Sequence, residues 1–385
     1  MYYYILMKFI QRQLEALVTR QLGKNKVILI LGTRRVGKTV LAETIKSNYQ
    51  GPVLVLNGED FDVQEMLKNR SVANYKRIIG SATLLIIDEA QVLSEIGPIL
   101  KLMIDNIPEL TIIATGSSSF DLANKTGDPL TGRLMQFHLY PLSQAEIAAQ
   151  ENALETVQNL EERLIFGSYP ELFQLSGIQE KSTYLLQLVQ SYLLKDILAY
   201  EGIRQSDKIV KLLRLIAFQC GAEVSYNELA GQLGISKNTV ENYLDLLSKV
   251  FIVYKVGAYS TNMRKEVSKS SKWFFYDNGI RNAIVNDFRL LALRNDEGLL
   301  WENYLIAERI KKNAYRGKNV QYYFWRNYNQ QEVDLVELEN GQLTAFEFKY
   351  SATKKVKRPA AFATAYPEVV FQVISKDNYL DWITQ

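Results

Sequence analysis

Three unbroken apolar runs mark the first third of the chain. Val27 to Leu31 runs straight into a glycine, residues 82–91 (ATLLIIDEAQ) end on an acidic pair, and residues 110–119 (LTIIATGSSS) end in hydroxyls. Runs without alternation predict strands buried on both faces, as in a parallel sheet whose crossovers are helices. The stretch after Pro141, including EERLIFGSYPELF, changes to a mostly helical pattern. Further on, Tyr226–Leu233 suits a short helix and Gly234-Ile235-Ser236 a tight turn with Ser236 as N-cap. Val240, Tyr243, Leu244 and Leu247 then share one helical face.

The last third changes period again. A helix is expected over residues 298–313, then strands at Val320–Arg326, 332–338 and 343–349, with a turn at Glu339-Asn340-Gly341 that makes the last two a hairpin. In the third strand, alternation sends Phe346 and Phe348 to one side and Glu347 and Lys349 to the other.

Composition narrows the chemistry. The 385 residues exceed one ordinary core, so about two to four domains are expected. With 47% hydrophobic and 23% charged residues the composition is that of a globular protein. The net charge of +3, from 45 basic and 42 acidic residues, confines any nucleic-acid surface to a local patch. Cys220 is the only cysteine and lies in the apolar LIAFQCGA, so it reads as a buried structural thiol, with no disulfide framework, in a reducing compartment. His138 is the only histidine, which excludes His–Cys zinc clusters and Ser-His-Asp triads and leaves oxygen ligands for any metal. The start, MYYYILMKFIQRQ, lacks a basic leader and a cleavage site, and no run reaches the roughly 18 apolar residues of a membrane span. A cytoplasmic protein with no membrane partner is expected.

The first apolar strand leads into Gly32-Thr33-Arg34-Arg35-Val36-Gly37-Lys38-Thr39 and then a helical pattern. This is G-x-x-x-x-G-K-[ST] in a strand–loop–helix context, a cradle of backbone N–H groups for phosphate oxygens. Lys38 is placed to reach the β- and γ-phosphates of ATP and Thr39 to ligate Mg²⁺. Asp88 and Glu89 end the second buried strand, where a doubly wound sheet builds its site. Asp88 suits the Mg²⁺ shell and Glu89 the polarisation of an attacking water.

With GTRRVGKT, LLIIDE and ATGSSS in order, residues 1 to about 215 resemble an AAA+ ATPase. The resemblance implies that Ser117 or Thr115 senses the γ-phosphate and that the segment after Pro141 is the lid over the nucleotide. It makes Arg133 a candidate arginine finger or sensor, a structural ion pair being the alternative. A finger acting in trans requires a homo-oligomer.

Residues 223–256 have helix-turn-helix grammar, and the strand-like 251–256 and 272–277 supply the two strands of a wing. In a DNA reader Lys237, Asn238, Thr239, Glu241 and Asn242 lie on or near the exposed face of the recognition helix, and Arg264, Lys265, Lys269 and Lys272 of the wing contact phosphates. Glu241 and Asp245 argue instead for a connector or protein-contact role.

In the C-terminal hairpin Asp334 sits within the apolar VDLV, an odd place for a carboxylate without a partner. A bend in the hairpin brings it beside Glu347, and two such carboxylates repel unless a cation lies between them. Oxygen-ligated Mg²⁺ suits the pair, and Lys349 on the same strand face can orient a water or neutralise a developing phosphate charge. Asp334, twelve intervening residues and Glu347-x-Lys349 resemble the PD-(D/E)XK nuclease motif, with Val333 where proline is usual. By that resemblance Glu302 on the preceding helix is the extra acidic metal ligand many members carry. Lys354, Lys355, Lys357 and Arg358 would flank a DNA phosphate track or form a solvated helix end.

The whole chain is similar to AAA+ proteins that carry a nuclease-like C-terminal domain of unknown function. The expected fold class is α/β: a P-loop AAA+ parallel sheet at 1–140, a helical lid at 141–215, a winged helix-turn-helix at 216–285 and a restriction-endonuclease-like α/β domain at 286–385. The expected activity is ATP hydrolysis coupled to DNA binding or Mg²⁺-dependent DNA cleavage. The alternative is a nucleotide-gated switch whose nuclease-like domain only binds. Nothing in the sequence identifies a protein partner.

Overall fold

The computed structural model describes residues 9–117, 130–193, 197, 206–260, 271–351 and 356–385. The chain divides into two compact units. One comprises Gln11–Tyr140 with Lys249–Phe251; the other comprises Met1–Ile10, Pro141–Ser248 and Ile252–Gln385. The expected boundaries at residues 215 and 285 fall inside the second.

The first unit holds a five-stranded sheet in the order β2-β3-β4-β1-β5. Its strands are β1 (Val27–Leu31), β2 (Val53–Asn57), β3 (Leu84–Asp88), β4 (Thr111–Gly116) and β5 (Leu134–His138), all mutually parallel. The three central strands are the three apolar runs. All of β1 and β4 and the first four residues of β3 are buried, because helices cover both faces. The edge strands β2 and β5 are only partly buried. In register, Leu31 lies beside Gly116 and Asp88 beside Asn57, so the loops that follow β1, β3 and β4 emerge at one end of the sheet. Strand order reverses at β1, which makes that end a switch-point crevice.

The second unit is built on a seven-stranded mixed sheet in the order β12-β11-β10-β9-β7-β8-β6. The strands are β6 (Glu223–Val224), β7 (Val253–Ala258), β8 (Ser271–Phe275), β9 (Val320–Arg326), β10 (Glu332–Glu339), β11 (Gln342–Phe348) and β12 (Val370–Ile374). The two strands expected to form a wing, β7 and β8, pair antiparallel, and β7 then pairs parallel with β9 at Gly257–Tyr323 and Ala258–Phe324. One continuous sheet therefore joins segments whose sequence suggests separate folds. Pairing β7 with β9 removes an open edge from each.

The helix Tyr226–Leu233 is capped by Ser225 and closed by Gly234 at φ 65°; Ser236 accepts the Thr239 N–H and starts the helix Lys237–Lys249, with Val240, Tyr243, Leu244 and Leu247 buried as expected. The helix Glu297–Tyr315 buries Leu300, Trp301, Leu305 and Ile306. Its Asn303, wholly buried, bonds both the N–H and C=O of Phe275 and the Asn278 side chain.

The helix Leu160–Phe166, in the expected lid segment, is tied to later residues by its C-terminal carbonyls. Asn278 and Asn282 donate to Leu164 O, Asn282 donates to Ile165 O, and Asp277 accepts from Ser168 N. These bonds satisfy helix-end groups that burial would otherwise leave unpaired. Among the described residues no helix is long and apolar enough to cross a membrane.

Candidate functional site

The phosphate loop is shaped by two glycines and a lysine. A Cβ at Gly32 would lie 2.3 Å from Leu139 O, so the loop can pass that strand only without a side chain. Gly37, at φ 98°, is the left-handed N-cap of the helix Lys38–Asn48. Thr33, Val36 and Lys38 are buried, while Arg35 is exposed at φ 64°. Lys38 Nζ donates to Gly32 O and Thr33 O at 2.9 and 3.1 Å, curling back over the loop. Arg12, which no local pattern marks, clamps the cradle from behind: it donates to Val36 O at 2.7 Å and to Tyr140 O at 2.6 Å.

The other expected residues converge on this loop. Thr39 Oγ1 donates to Asp88 Oδ2 at 2.7 Å, and the hydroxyl of Thr115 donates to the other Asp88 oxygen. Thr115 also accepts the Glu89 N–H at 3.2 Å, which helps hold Glu89 at φ 50°, beyond the strand end. Gly58 permits this, since a Cβ there would meet Glu89 O at 2.5 Å. Gln91 donates from Nε2 to the Glu89 carboxylate and, at 3.3 Å, to Ser117 Oγ.

Arg133 lies apart. It directly precedes β5, where Leu134 pairs with Val27 at the start of β1, so it is at the opposite end of the sheet from the loop after Leu31. Its guanidinium pairs with Asp105 at 3.1 Å. His138 is held neutral, its imidazole pKa lowered to about 3 by burial and by the Lys38 charge. Cys220 is a buried thiol pushed up to about 12, chiefly by burial, as its apolar surroundings predict.

The C-terminal carboxylates also come together. The β10–β11 pairing runs from Leu335 opposite Phe346, so Asp334 lies one residue beyond its last pair, in the stretch where the β9–β10 pairing carries a bulge between Val333 and Val336. Asp334 Oδ2 accepts from Phe348 N at 2.7 Å. Burial, then Glu302 and Glu347, hold its carboxyl well above the usual range. Glu302 is also raised, first by burial, with Lys272 pulling it back and Glu332 adding to the rise. Lys349 Nζ pairs with Glu347 Oε1 at 2.6 Å.

Lys272 overturns an expectation. The wing lysine expected to contact phosphates is buried on β8, where it pairs with Glu332 and, at 3.5 Å, with Glu302. Burial works against its charge, but Glu302 and Glu332 outweigh it and keep the ammonium above its ordinary pKa. The local sequence could not reveal this, because both partners come from strands and a helix that only the folded sheet brings near. Arg264, Lys265, Lys269, Lys354 and Lys355 lie outside the described residues.

Among the described residues no group of three or more His, Cys, Asp or Glu side chains could hold a metal ion. Ammonium groups already lie against Glu302 and Glu347. The oxygen donors and the mutual repulsion at Asp334 nevertheless fit Mg²⁺, which commonly takes one or two carboxylates and fills its shell with water and phosphate oxygens. Thr39 and Asp88 fit it in the same way at the phosphate loop.

Comparison with known proteins matches three segments of the chain. Residues 157–291 match a domain of unknown function (DUF8612) and residues 297–379 another (DUF4143). An uncharacterised protein of Mycobacterium tuberculosis is 25% identical over 353 residues, 90% of this chain and 76% of that protein. One from Methanocaldococcus jannaschii is 25% identical over 390 residues, 94% of this chain and 82% of that protein. Among solved structures, the Walker-type ATPase of Pyrococcus abyssi is similar at 16% identity, covering 73% of this chain and 97% of that one with a TM-score of 0.49. Residues 24–148 match the AAA domain. That match falls on the strands and loop that carry Lys38, Thr39 and Asp88, and the chain accordingly carries an AAA domain that binds and hydrolyses ATP.

Proposed function

We propose that ATP hydrolysis in the first unit drives DNA processing by the carboxylate site of the second. In the first unit Lys38 contacts the β- and γ-phosphates, Thr39 and Asp88 hold Mg²⁺, Glu89 polarises the attacking water, and Ser117 senses the γ-phosphate. Arg133 is too far along the sheet to serve its own phosphate loop, which supports a finger role toward a second copy of the chain.

The observation that carries the DNA reading is the order of elements around Asp334. The helix Glu297–Tyr315 is followed by the antiparallel β9, β10 and β11, then the helix Ala360–Ala365 and β12, parallel to β11. Asp334 lies just beyond the paired Leu335–Phe346, Glu302 and Glu347 raise its carboxyl, and Lys349 pairs with Glu347. This order supports reading the region as a restriction-endonuclease-like core. Asp334 and Glu347 are the residues that would hold Mg²⁺, which would supply positive charge to the scissile phosphate, while Glu302 lies against Lys272. Lys349 orients the water that attacks phosphorus: a new P–O bond forms as the P–O ester bond breaks, and the proton lost by the water reaches the leaving oxygen through solvent. Lys237, Asn238 and Asn242, exposed on the second helix of the helix-turn-helix, supply contacts to the duplex.

A second reading, a nucleotide-gated switch with a binding-only C-terminal site, is favoured by the two lysines that already compensate the carboxylates. It is also favoured by the Lys237–Glu241 pair at 3.4 Å, which offsets positive charge on the recognition helix. Cleavage of plasmid, linear and branched DNA with Mg²⁺ or Mn²⁺, with and without ATP, separates the two. Cleavage lost in Glu347→Ala/Lys349→Ala supports the nuclease. Intact ATP hydrolysis with no cleavage of any substrate supports the switch.

A further inference from the structure

Gln91 connects two groups of the ATPase site that the sequence sets 28 residues apart, Glu89 and Ser117. Its amide nitrogen donates to Glu89 Oε2 and also to Ser117 Oγ at 3.3 Å. The backbone beneath is fixed as well. Glu89 N is held by Thr115, Gly58 packs on Glu89 O, and Gln91 lies in the short 3₁₀ turn Ala90–Val92 that follows the strand.

The chemistry of an amide NH₂ gives this link a direction. Its two protons are both used as donors, one to each partner. A carboxylate that accepts on Oε2 keeps Oε1 for a water. A serine hydroxyl that accepts from Gln91 turns its own proton elsewhere, toward a phosphate oxygen. One side chain thus aims the base and the phosphate donor together, and a change at either partner reaches the other through a single amide.

We propose that Gln91 is a positioning residue for ATP hydrolysis, holding the Glu89 carboxylate and the Ser117 hydroxyl in mutually fixed orientation. This rests on the assignment of Glu89 as the group that polarises water. Gln91 touches neither water nor nucleotide in this scheme, so its removal acts on turnover more than on binding.

The test is steady-state ATPase kinetics of the full chain for Gln91→Met, which keeps the side-chain length but has no donor, and Gln91→Glu, which keeps the shape but sets a like charge beside Glu89. Glu89→Gln is the reference, and thermal midpoints are measured for all three. The expected result is a kcat reduced about tenfold to a hundredfold in both Gln91 variants, with KM within about threefold and the midpoint unchanged. A kcat within about twofold of the parent in Gln91→Met overturns the proposal, as does a parallel loss of kcat, KM and midpoint. Unchanged turnover in Glu89→Gln overturns the base assignment and the proposal together. Loss in Glu89→Gln alone overturns only the role of Gln91.

Discussion

Two side chains in the C-terminal site meet its charges in opposite ways, and each has a measurable consequence. Asp334 is a buried carboxyl facing Glu302 and Glu347, its pKa raised by burial and by both neighbours. A raised folded-state pKa means that stability is fully present below the unfolded carboxylate range, about 3.9, and is lost as pH rises through the folded value. Asp334→Asn removes the charge and keeps an oxygen for Phe348 N. It is expected to raise the thermal midpoint at pH 8 and to flatten its fall as pH rises above about 3.9; a midpoint lower than the parent's at pH 8 would count against this. Lys272 is the opposite case, a buried cation that compensates Glu302 and Glu332. Lys272→Met leaves those carboxylates uncompensated, and urea unfolding is expected to show a loss of about 3–5 kcal/mol. VDLV and E-x-K suggested Mg²⁺ for the pair Asp334 and Glu347, and nothing in them pointed to Lys272, which compensates Glu302 and Glu332. A lysine in SSKWFFYD carries no local sign of inward or outward placement.

At the scale of elements, the buried strands of the first unit were legible because their apolar runs are continuous. The helix-turn-helix was legible because Gly234, Ser236 and the period of Val240, Tyr243, Leu244 and Leu247 agree. What the elements pack against was not legible. Asn278 and Asn282 look like polar surface residues in NGIRNAIV, yet both are buried and satisfy the carbonyls of Leu164 and Ile165. Gly279 shows how close this junction is, since a Cβ there would meet Phe166 O at 1.9 Å. Gly279→Ala is expected to destabilise the second unit by about 1–3 kcal/mol, the range for overpacking. Denaturant unfolding checks it, and a neutral result would mean that the two helices can separate without cost.

Over the whole molecule, two units with separate cores predict that a ligand of one stabilises that one. ATP binds the native first unit and not its unfolded chain, so a nucleotide held at about a hundred times its Kd adds about 2.7 kcal/mol to that unit alone. A thermal scan is expected to show an upward shift of the transition belonging to Gln11–Tyr140, absent in Lys38→Ala, with the second unit's transition unmoved. A common shift of all transitions would show instead that the units unfold together. The sequence by itself determined the local chemistry: a phosphate cradle needs only eight consecutive residues, and its strand and helix flank it directly. The acidic strand end and the E-x-K strand are likewise written within a few positions. Tertiary structure alone decided that Arg12 braces the cradle, that Gln91 links Glu89 to Ser117, and that β7 joins β9 into one sheet carrying Lys272 to the carboxylates. These depend on contacts between residues far apart in the chain, and such contacts form only when burial forces each polar group to find a partner.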